Sequence, residues 1–407
     1  MSWRDLALGD AIHVRHGFAF KGEHFSSTGE LMVVTPGNFL ETGGFRVRAG
    51  KERYYSGDFP DSYLLKKGDL IVAMTEQGEG LLGSAARIPE DDRYLHNQRL
   101  GLVTVTNKQL IDERFLYWIF NSPSCRAQLR GSATGAKVKH TAPERIYKVR
   151  SAVPSVETQG RIASLLDAYD DLIVANRRRI VLLEESARLL YREWFVNLRF
   201  RGYQLVPLVD GLPEKWRVTT YGDIVDAIGG ATPSSKRLDY WNGDVVWLTP
   251  TDVTRNDCLY LSDSARRITE TGYESCSTKL LPPGTIFMTS RASIGYFALL
   301  DQPACTNQGF IAVVPKLRNC RNYLLFNLMN RVDEFNAKAT GSTFKELSKR
   351  TFRDMTVMLP SQEVLDVFEA VTLPIIEQIK VLKKQLIALT LARDELLPRL
   401  MSGAIRV

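Results

Sequence analysis

Side chains able to read polar edges gather in short clusters between apolar runs. In the first half these are Thr75-Glu76-Gln77-Gly78, His96-Asn97-Gln98-Arg99 and Lys137-Val138-Lys139-His140. In the second they are Ser234-Ser235-Lys236-Arg237, Thr289-Ser290-Arg291, Thr306-Asn307-Gln308 and Thr343-Phe344-Lys345. Carboxamide and guanidinium groups carry paired donors and acceptors that match the edges of adenine and guanine, while Lys, Ser and Thr hold phosphate oxygens. The candidate contacts to a DNA duplex are therefore Thr75, Gln77, Asn97, Gln98, Arg99, Lys137, Lys139, His140, Ser234, Lys236, Arg237, Arg291, Asn307, Gln308, Thr343 and Lys345. Each alone is more ordinary as a turn cap or a solvated side chain; the case rests on the set.

Patterns that imitate catalysis fail on inspection. Gly78-x-Gly80-x-x-Gly83 follows an apolar run as a dinucleotide fingerprint would, but Pro89 cuts off the helix it should open. Gly131 to Lys137 resembles a phosphate loop with its glycines one residue too close, Ala136 before the lysine and Val138 in place of a hydroxyl residue. His13, His16, His24, His96 and His140 have no metal-ligand spacing and read as loop residues. No Asp/Asn-Pro-Pro-aromatic motif for methylating a flipped base is present, and Pro60-Asp61 lacks the acidic-x-Lys that would complete a nuclease site. Cys125, Cys258, Cys276, Cys305 and Cys320 are odd in number and contain no C-x-x-C, which argues against a disulfide framework or zinc site and for reduced thiols in a cytoplasm. The expectation is a chain without catalytic residues, metal or cofactor.

Composition bounds the rest. A 407-residue chain exceeds one comfortable core, and its 53 basic against 46 acidic residues, a net +7, permit a polyanionic partner without demanding one. The N-terminus lacks a signal pattern and no run of about 18 apolar residues could span a bilayer, so a soluble cytoplasmic protein with no membrane partner is expected.

The elements that must position these clusters come as an imperfect internal repeat. Trp3 and Gly9-Asp10 recur as Trp216 and Gly222-Asp223 at an offset of 213, and Thr35-Pro36 as Thr249-Pro250 at 214. Leu64-Leu65-x-x-Gly68 returns at 216, Asn97-Gln98 as Asn307-Gln308 at 210, and Ala133-Thr134-Gly135 and Pro154-Ser155 both at 206. From there the offset holds at 206 to the end of each half. Length drift behaves like variable loops, constant length like a continuous helix. The expected segments are a reading module over 1–153, a helical spacer over 154–200, a second module over 201–359 and a second spacer over 360–407.

In each module, β-rich runs (residues 31–35, 70–75 and 102–106; 245–249, 285–289 and 310–314) punctuated by Gly, Pro, Asn and Asp precede one helical stretch, 113–121 or 321–330, giving an α+β module. In the first spacer Ile162, Leu166, Tyr169, Ile173, Asn176, Ile180, Leu183, Ala187, Leu190 and Trp194 follow steps of four and three, and adding 206 reproduces the seam from Phe368 to Leu400. Ile173, Ile180, Leu183, Leu190, Ile379, Leu386, Leu389 and Leu396 are the expected helix-pairing residues. About 40 residues at 1.5 Å each make a rod of roughly 60 Å. Two equal seams favour an antiparallel coiled-coil pair in pseudo-twofold relation, with Asn176 and Arg393 interrupting the seam, Pro374 kinking or restarting the second helix and Arg177-Arg178-Arg179 on a solvated face.

This organisation resembles type I restriction-modification specificity subunits over essentially the whole chain. Gly17-Phe18-Ala19-Phe20-Lys21, Gly211-Leu212-Pro213-x-x-Trp216, Leu189-Leu190-Tyr191-Arg192-x-Trp194-Phe195 and Leu396-Leu397-Pro398-x-Leu400-Met401-Ser402-Gly403 are similar to that family's motifs, although the first module's opener is abbreviated and lacks the Gly-x-Pro lead-in. The resemblance implies two target recognition domains that each read half of an asymmetric, interrupted DNA site. It further implies that the helices set the spacing and dock two adenine-methylating subunits, which bind S-adenosylmethionine, and that motor-nuclease subunits using ATP and magnesium join the complex.

Overall fold

The computed structural model describes residues 3–48, 50–77, 80–341 and 343–407. The chain divides into two compact units: one comprises Met1–Leu172 with Leu389–Val407, the other Ile173–Ala388. Each contains one α/β module together with a stretch of both long helices, Val156–Tyr191 and Gln362–Met401.

In the first unit a four-stranded sheet runs in the order Ile12–His16, Leu100–Val105, Leu70–Ala73, Ala85–Arg87, all antiparallel. A five-stranded sheet includes Tyr94–His96 lying parallel to Met32–Val34. The second unit repeats the plan: Val225–Ile228, Phe310–Pro315, Ile286–Thr289 and Phe297–Ala298 form the four-stranded sheet, and Trp241–Leu248 lies parallel to Ala304–Thr306. In both modules an N-terminal strand pairs with the strand that leads into the long helix, Arg4–Ala7 with Arg150–Val153 and Arg217–Thr220 with Thr356–Leu359. The strand runs read from sequence lie within these strands or overlap them by all but a residue or two.

The helices Glu113–Asn121 and Arg321–Asn330 begin and end where the sequence pattern places them. Asp112 caps the first by accepting the Arg114 and Phe115 N–H groups, satisfying two donors that a helix start leaves open. Its Phe115, Leu116, Trp118 and Phe120 are buried in a core that takes in Ile162, Ala163 and Leu166 from one long helix and Leu397 and Leu400 from the other. Burial of each such side chain contributes about 1.5–3 kcal/mol. Gln159 locks the helix to the module: its Oε1 accepts the Asp112 N–H at 2.8 Å and its Nε2 donates to the Leu110 and Pro154 carbonyls. In the second unit an aromatic cluster of Phe195, Tyr323 and Phe368 does the equivalent work, joined by the Asn327 Nδ2 donation to the Tyr191 hydroxyl.

Within each unit the long helices run antiparallel. Asn176 bonds Gln385 while Trp194 packs on Phe368 in the second unit, and Asp170 pairs with Arg393 while Ile162 shares a core with Leu400 in the first. Ile173, Ile180, Ile379 and Leu386 are buried, and Leu183, Leu190, Leu389 and Leu396 half-buried. Asn176 and Arg393, the polar interruptions, are themselves buried, so both belong to the packed seam. Arg177, Arg178 and Arg179 are exposed.

Three expectations are corrected. Each module holds more than one helix, since Pro123–Gly131, Pro143–Tyr147, Val332–Lys338 and Lys349–Asp354 are also helical; they are short, which leaves little periodicity to read. The second long helix does not restart at Pro374, which lies on an exposed face, so the Ala370 carbonyl that loses its donor is on the solvent side. The histidines are not loop residues: His13, His16, His96 and His140 lie in strands, and only His24 sits outside one, in a short 3-10 turn. The five cysteines are free, and burial pushes the Cys125, Cys258 and Cys320 thiols up to about 12 and Cys305 to about 11, far from a reactive thiolate.

Candidate nucleic-acid interface

Three of the sequence clusters meet at one edge of the first module. The strand Leu70–Ala73 continues through Met74 into Thr75–Glu76, which pairs with Lys139–His140 in a two-stranded ribbon, His140 opposite Thr75 and Lys139 opposite Glu76. On its other side the Met74 N–H donates to the Arg99 carbonyl at 3.0 Å, bringing the Asn97–Arg99 turn alongside. That turn is built by the Asn97 side chain, whose Oδ1 accepts the Arg99 N–H, and by a bond from the Phe18 N–H to the His96 carbonyl. Gly17 makes the close approach possible, because a Cβ there would stand 2.1 Å from the Asn97 carbonyl oxygen. Gln77, Gln98, Arg99, Lys137 and His140 are exposed, and Thr75, Asn97 and Lys139 are half-buried.

Beneath the turn lies His96, fully buried. Its Nε2 lies 3.0 Å from the Leu100 carbonyl, and its Nδ1 has no partner among the described residues. Burial lowers its pKa to about 4, with Arg15 and His16 adding to the shift, so the ring is neutral near pH 7 and Nε2 is the donor.

The second module builds the same edge from different side chains. Ser290 N–H donates to the Gly309 carbonyl, Leu347 N–H to the Ser290 carbonyl and Ala231 N–H to the Thr306 carbonyl. These bonds reproduce Met74 to Arg99, Thr141 to Met74 and Phe18 to His96 with shifts between 206 and 216, the same drift found in the sequence. The reciprocal bridge between Thr134 and His140 likewise returns between Thr340 and Glu346. Arg291, Gln308, Thr343 and Lys345 are exposed on this edge and Asn307 is half-buried. Ser234, Lys236 and Arg237 are also exposed but sit on a separate loop, joined to the edge at its base by the Thr232 hydroxyl donating to Gln308 Oε1 at 2.6 Å. Arg237 is already engaged: Asp239 takes its Nε and Nη2 at 2.9 and 2.7 Å, and its guanidinium lies over Tyr240.

The amides of the first look-alike phosphate site are taken by the protein itself. Glu76 Oε2 accepts the N–H groups of Gly80, Leu81 and Leu82 at 3.1, 3.0 and 2.8 Å, the amides an anion would need. Gly78 lies outside the described residues. Gly135 turns a hairpin with φ of +97°, where a Cβ would meet the Val138 carbonyl oxygen. No group of three His, Cys, Asp or Glu that could hold a metal ion occurs among the described residues, and no helix among them is long and apolar enough to cross a membrane.

A profile described as "Type I restriction modification DNA specificity domain" matches residues 2–185 and again 213–387. The chain belongs to that family. The matches take in both modules and most of both long helices, and the family supplies DNA recognition within a restriction-modification complex, not its catalysis. Among relatives, the type I restriction enzyme MjaIX specificity subunit of Methanocaldococcus jannaschii is 40% identical over 154 residues, a local match taking in 37% of this chain and 36% of that one. The HindI specificity subunit of Haemophilus influenzae is 19% identical but aligned over 99% of both chains. The solved S subunit from M. genitalium shares the fold, with a TM-score of 0.60 at 16% identity over 98% of this chain and 96% of that one. Two α/β modules with two long antiparallel helices make up this chain.

Sequence reading missed Glu346, which the repeat offset of 206 pairs with His140, and Phe344, exposed on the same hairpin. The offset was the available signal for Glu346.

Proposed function

We propose that the chain reads a bipartite, asymmetric DNA site, each module recognising one half. The observation carrying this is the shared edge: one backbone hydrogen-bond scaffold occurs twice, and the side chains it presents differ, Thr75 and His140 in one module against Arg291 and Glu346 in the other. Equal scaffolds hold equal positions on a duplex, and unequal side chains read unequal bases. The net charge of +7 supports the phosphate contacts of Lys137, Lys139, Lys236 and Lys345.

The two long helices fix the gap between half-sites and dock two adenine-methylating subunits. Those subunits bind S-adenosylmethionine and flip the target base, and motor-nuclease subunits using ATP and magnesium complete the larger complex. This chain carries none of these cofactors and works in the cytoplasm beside its DNA. Reconstitution tests the division of labour. Purified chain, modification subunit and S-adenosylmethionine together should methylate adenine, and omission of either protein should abolish it. Methylation by the chain with S-adenosylmethionine alone would overturn the proposal.

A further inference from the structure

We propose that Arg291 reads a guanine in the half-site of the second module, and that Glu346 and the backbone at Ala292 are positioning elements that aim its guanidinium. The inference rests on the reading of this chain as a two-module DNA recogniser and adds a chemical identity to one contact.

The candidate arginines are not equivalent. Arg237 has its Nε and one Nη held by Asp239, its guanidinium lies over Tyr240, and it stands on a loop apart from the shared edge. Arg291 meets Glu346 through Nε at 3.6 Å, and neither of its Nη groups has a hydrogen-bond partner among the described residues. A carboxylate on the Nε side, at ion-pair rather than hydrogen-bond distance, draws that side of the guanidinium toward it and leaves the Nη pair open for bidentate donation to guanine O6 and N7. The pair is 52% and 45% exposed, so its own contribution to stability is small and a purely structural role explains little of it.

The backbone next to it supplies an independent observation. Ala292 has φ of +62°, a left-handed conformation unusual for a residue with a Cβ. It is held there by its N–H donating to the Lys345 carbonyl at 2.9 Å and by the Ser293 N–H donating to the Arg291 carbonyl at 2.8 Å. Arg291 and Glu346 also face each other as a backbone bridge. Strain of this kind persists where surrounding contacts over-determine it, and here it fixes the direction in which Arg291 leaves the chain. The first module has Thr75 and His140 at the same places, so its half-site is read by other chemistry.

The test is mapping of methylated adenines with the chain in complex with its modification subunit, comparing wild type with Arg291→Lys, Glu346→Gln and Glu346→Asp. Wild type should give a motif with a guanine in one half. Arg291→Lys should keep methylation but lower preference at that one guanine about 5- to 140-fold, the range for loss of a good bidentate contact. Glu346→Gln should weaken preference at the same base, Glu346→Asp should restore part of it, and the other half should stay unchanged. An unaltered motif in Arg291→Lys, an unaltered motif in Glu346→Gln, or loss of both halves together would overturn the proposal while leaving the two-module reading intact. A wild-type complex that methylates no two-part site would instead defeat that underlying reading.

Discussion

Arg393 is a charged residue in the middle of an apolar seam, only 5% exposed, and its treatment by the fold gives a quantitative test. Its Nη1 pairs with Asp170, while Nε and Nη2 bond Asp394 at 2.9 and 2.7 Å. Asp170 also accepts the buried Tyr117 hydroxyl at 3.0 Å. Asp170→Ala therefore removes a counter-charge and an acceptor at once. Breaking a buried pair costs about 3–5 kcal/mol. Asp394 remains and the Asp170 side chain is 21% exposed, so about 2 kcal/mol is the appropriate share, with about 1 kcal/mol more for the orphaned Tyr117 hydroxyl. The sum, about 3 kcal/mol, corresponds to a fall of about 6–12 °C in the melting of the first unit at about 2–4 °C per kcal/mol. Calorimetry of the full chain, variant against wild type, measures it. Asp170→Ala with Arg393→Leu should recover about 2 kcal/mol, since an apolar side chain suits the seam better than an unpaired charge. A single variant within about 0.5 kcal/mol of wild type, or a double variant no better than the single, would refute the reasoning.

Other consequences are checkable. His96 has its folded pKa lowered to about 4, below the unfolded value of about 6.5, so the unfolded chain takes up its proton first and stability falls as pH drops below about 6.5 and levels off below about 4. Urea midpoints should show a loss of about 2 kcal/mol between pH 7.5 and 5 that His96→Gln largely abolishes; an equal loss in the variant would contradict the assignment. Glu76→Ala should cost about 2–4 kcal/mol in urea unfolding because three backbone N–H groups lose their acceptor, and a neutral result would show that they find another. Gln98→Ala with Arg99→Ala should relax one half of the methylated motif and leave the other intact, with loss at both halves pointing to misfolding. Arg237→Ala, whose fork Asp239 holds, should leave the motif unchanged. Matched four-residue insertions after Leu172 and after Ala388 should change the gap by about two base pairs, 6 Å of helix against a rise of about 3.4 Å per base pair, with the half-sites kept. A constant gap in the mapped motif would remove the helices from the role of spacer.

Long-period features were legible in the sequence and short-range polar ones were not. The seam over forty residues and the helices Glu113–Asn121 and Arg321–Asn330 announce themselves because many apolar positions agree on one face. The drift in repeat offset, read from landmarks such as Asn97 and Asn307, proved to be the drift of individual backbone hydrogen bonds at the edge. Burial of His96 was hidden because its neighbours Asn97 to Arg99 are polar, and only strand pairing turns its ring inward. Engagement of Arg237 by Asp239, two residues on, was visible as a pair of opposite charges, but whether a guanidinium is occupied or open depends on side-chain geometry that spacing does not encode. Pro374 does not end the second long helix, and the carbonyl it deprives of a donor lies on the exposed face, where water can replace it.

The central claim is that two unlike readers on one chain recognise two unlike half-sites. Single-molecule mapping of methylated adenines in cells carrying this chain and its modification subunit addresses it directly. The account predicts one interrupted motif with two different halves at a fixed gap; a continuous motif, a symmetric one or unpatterned methylation would contradict it.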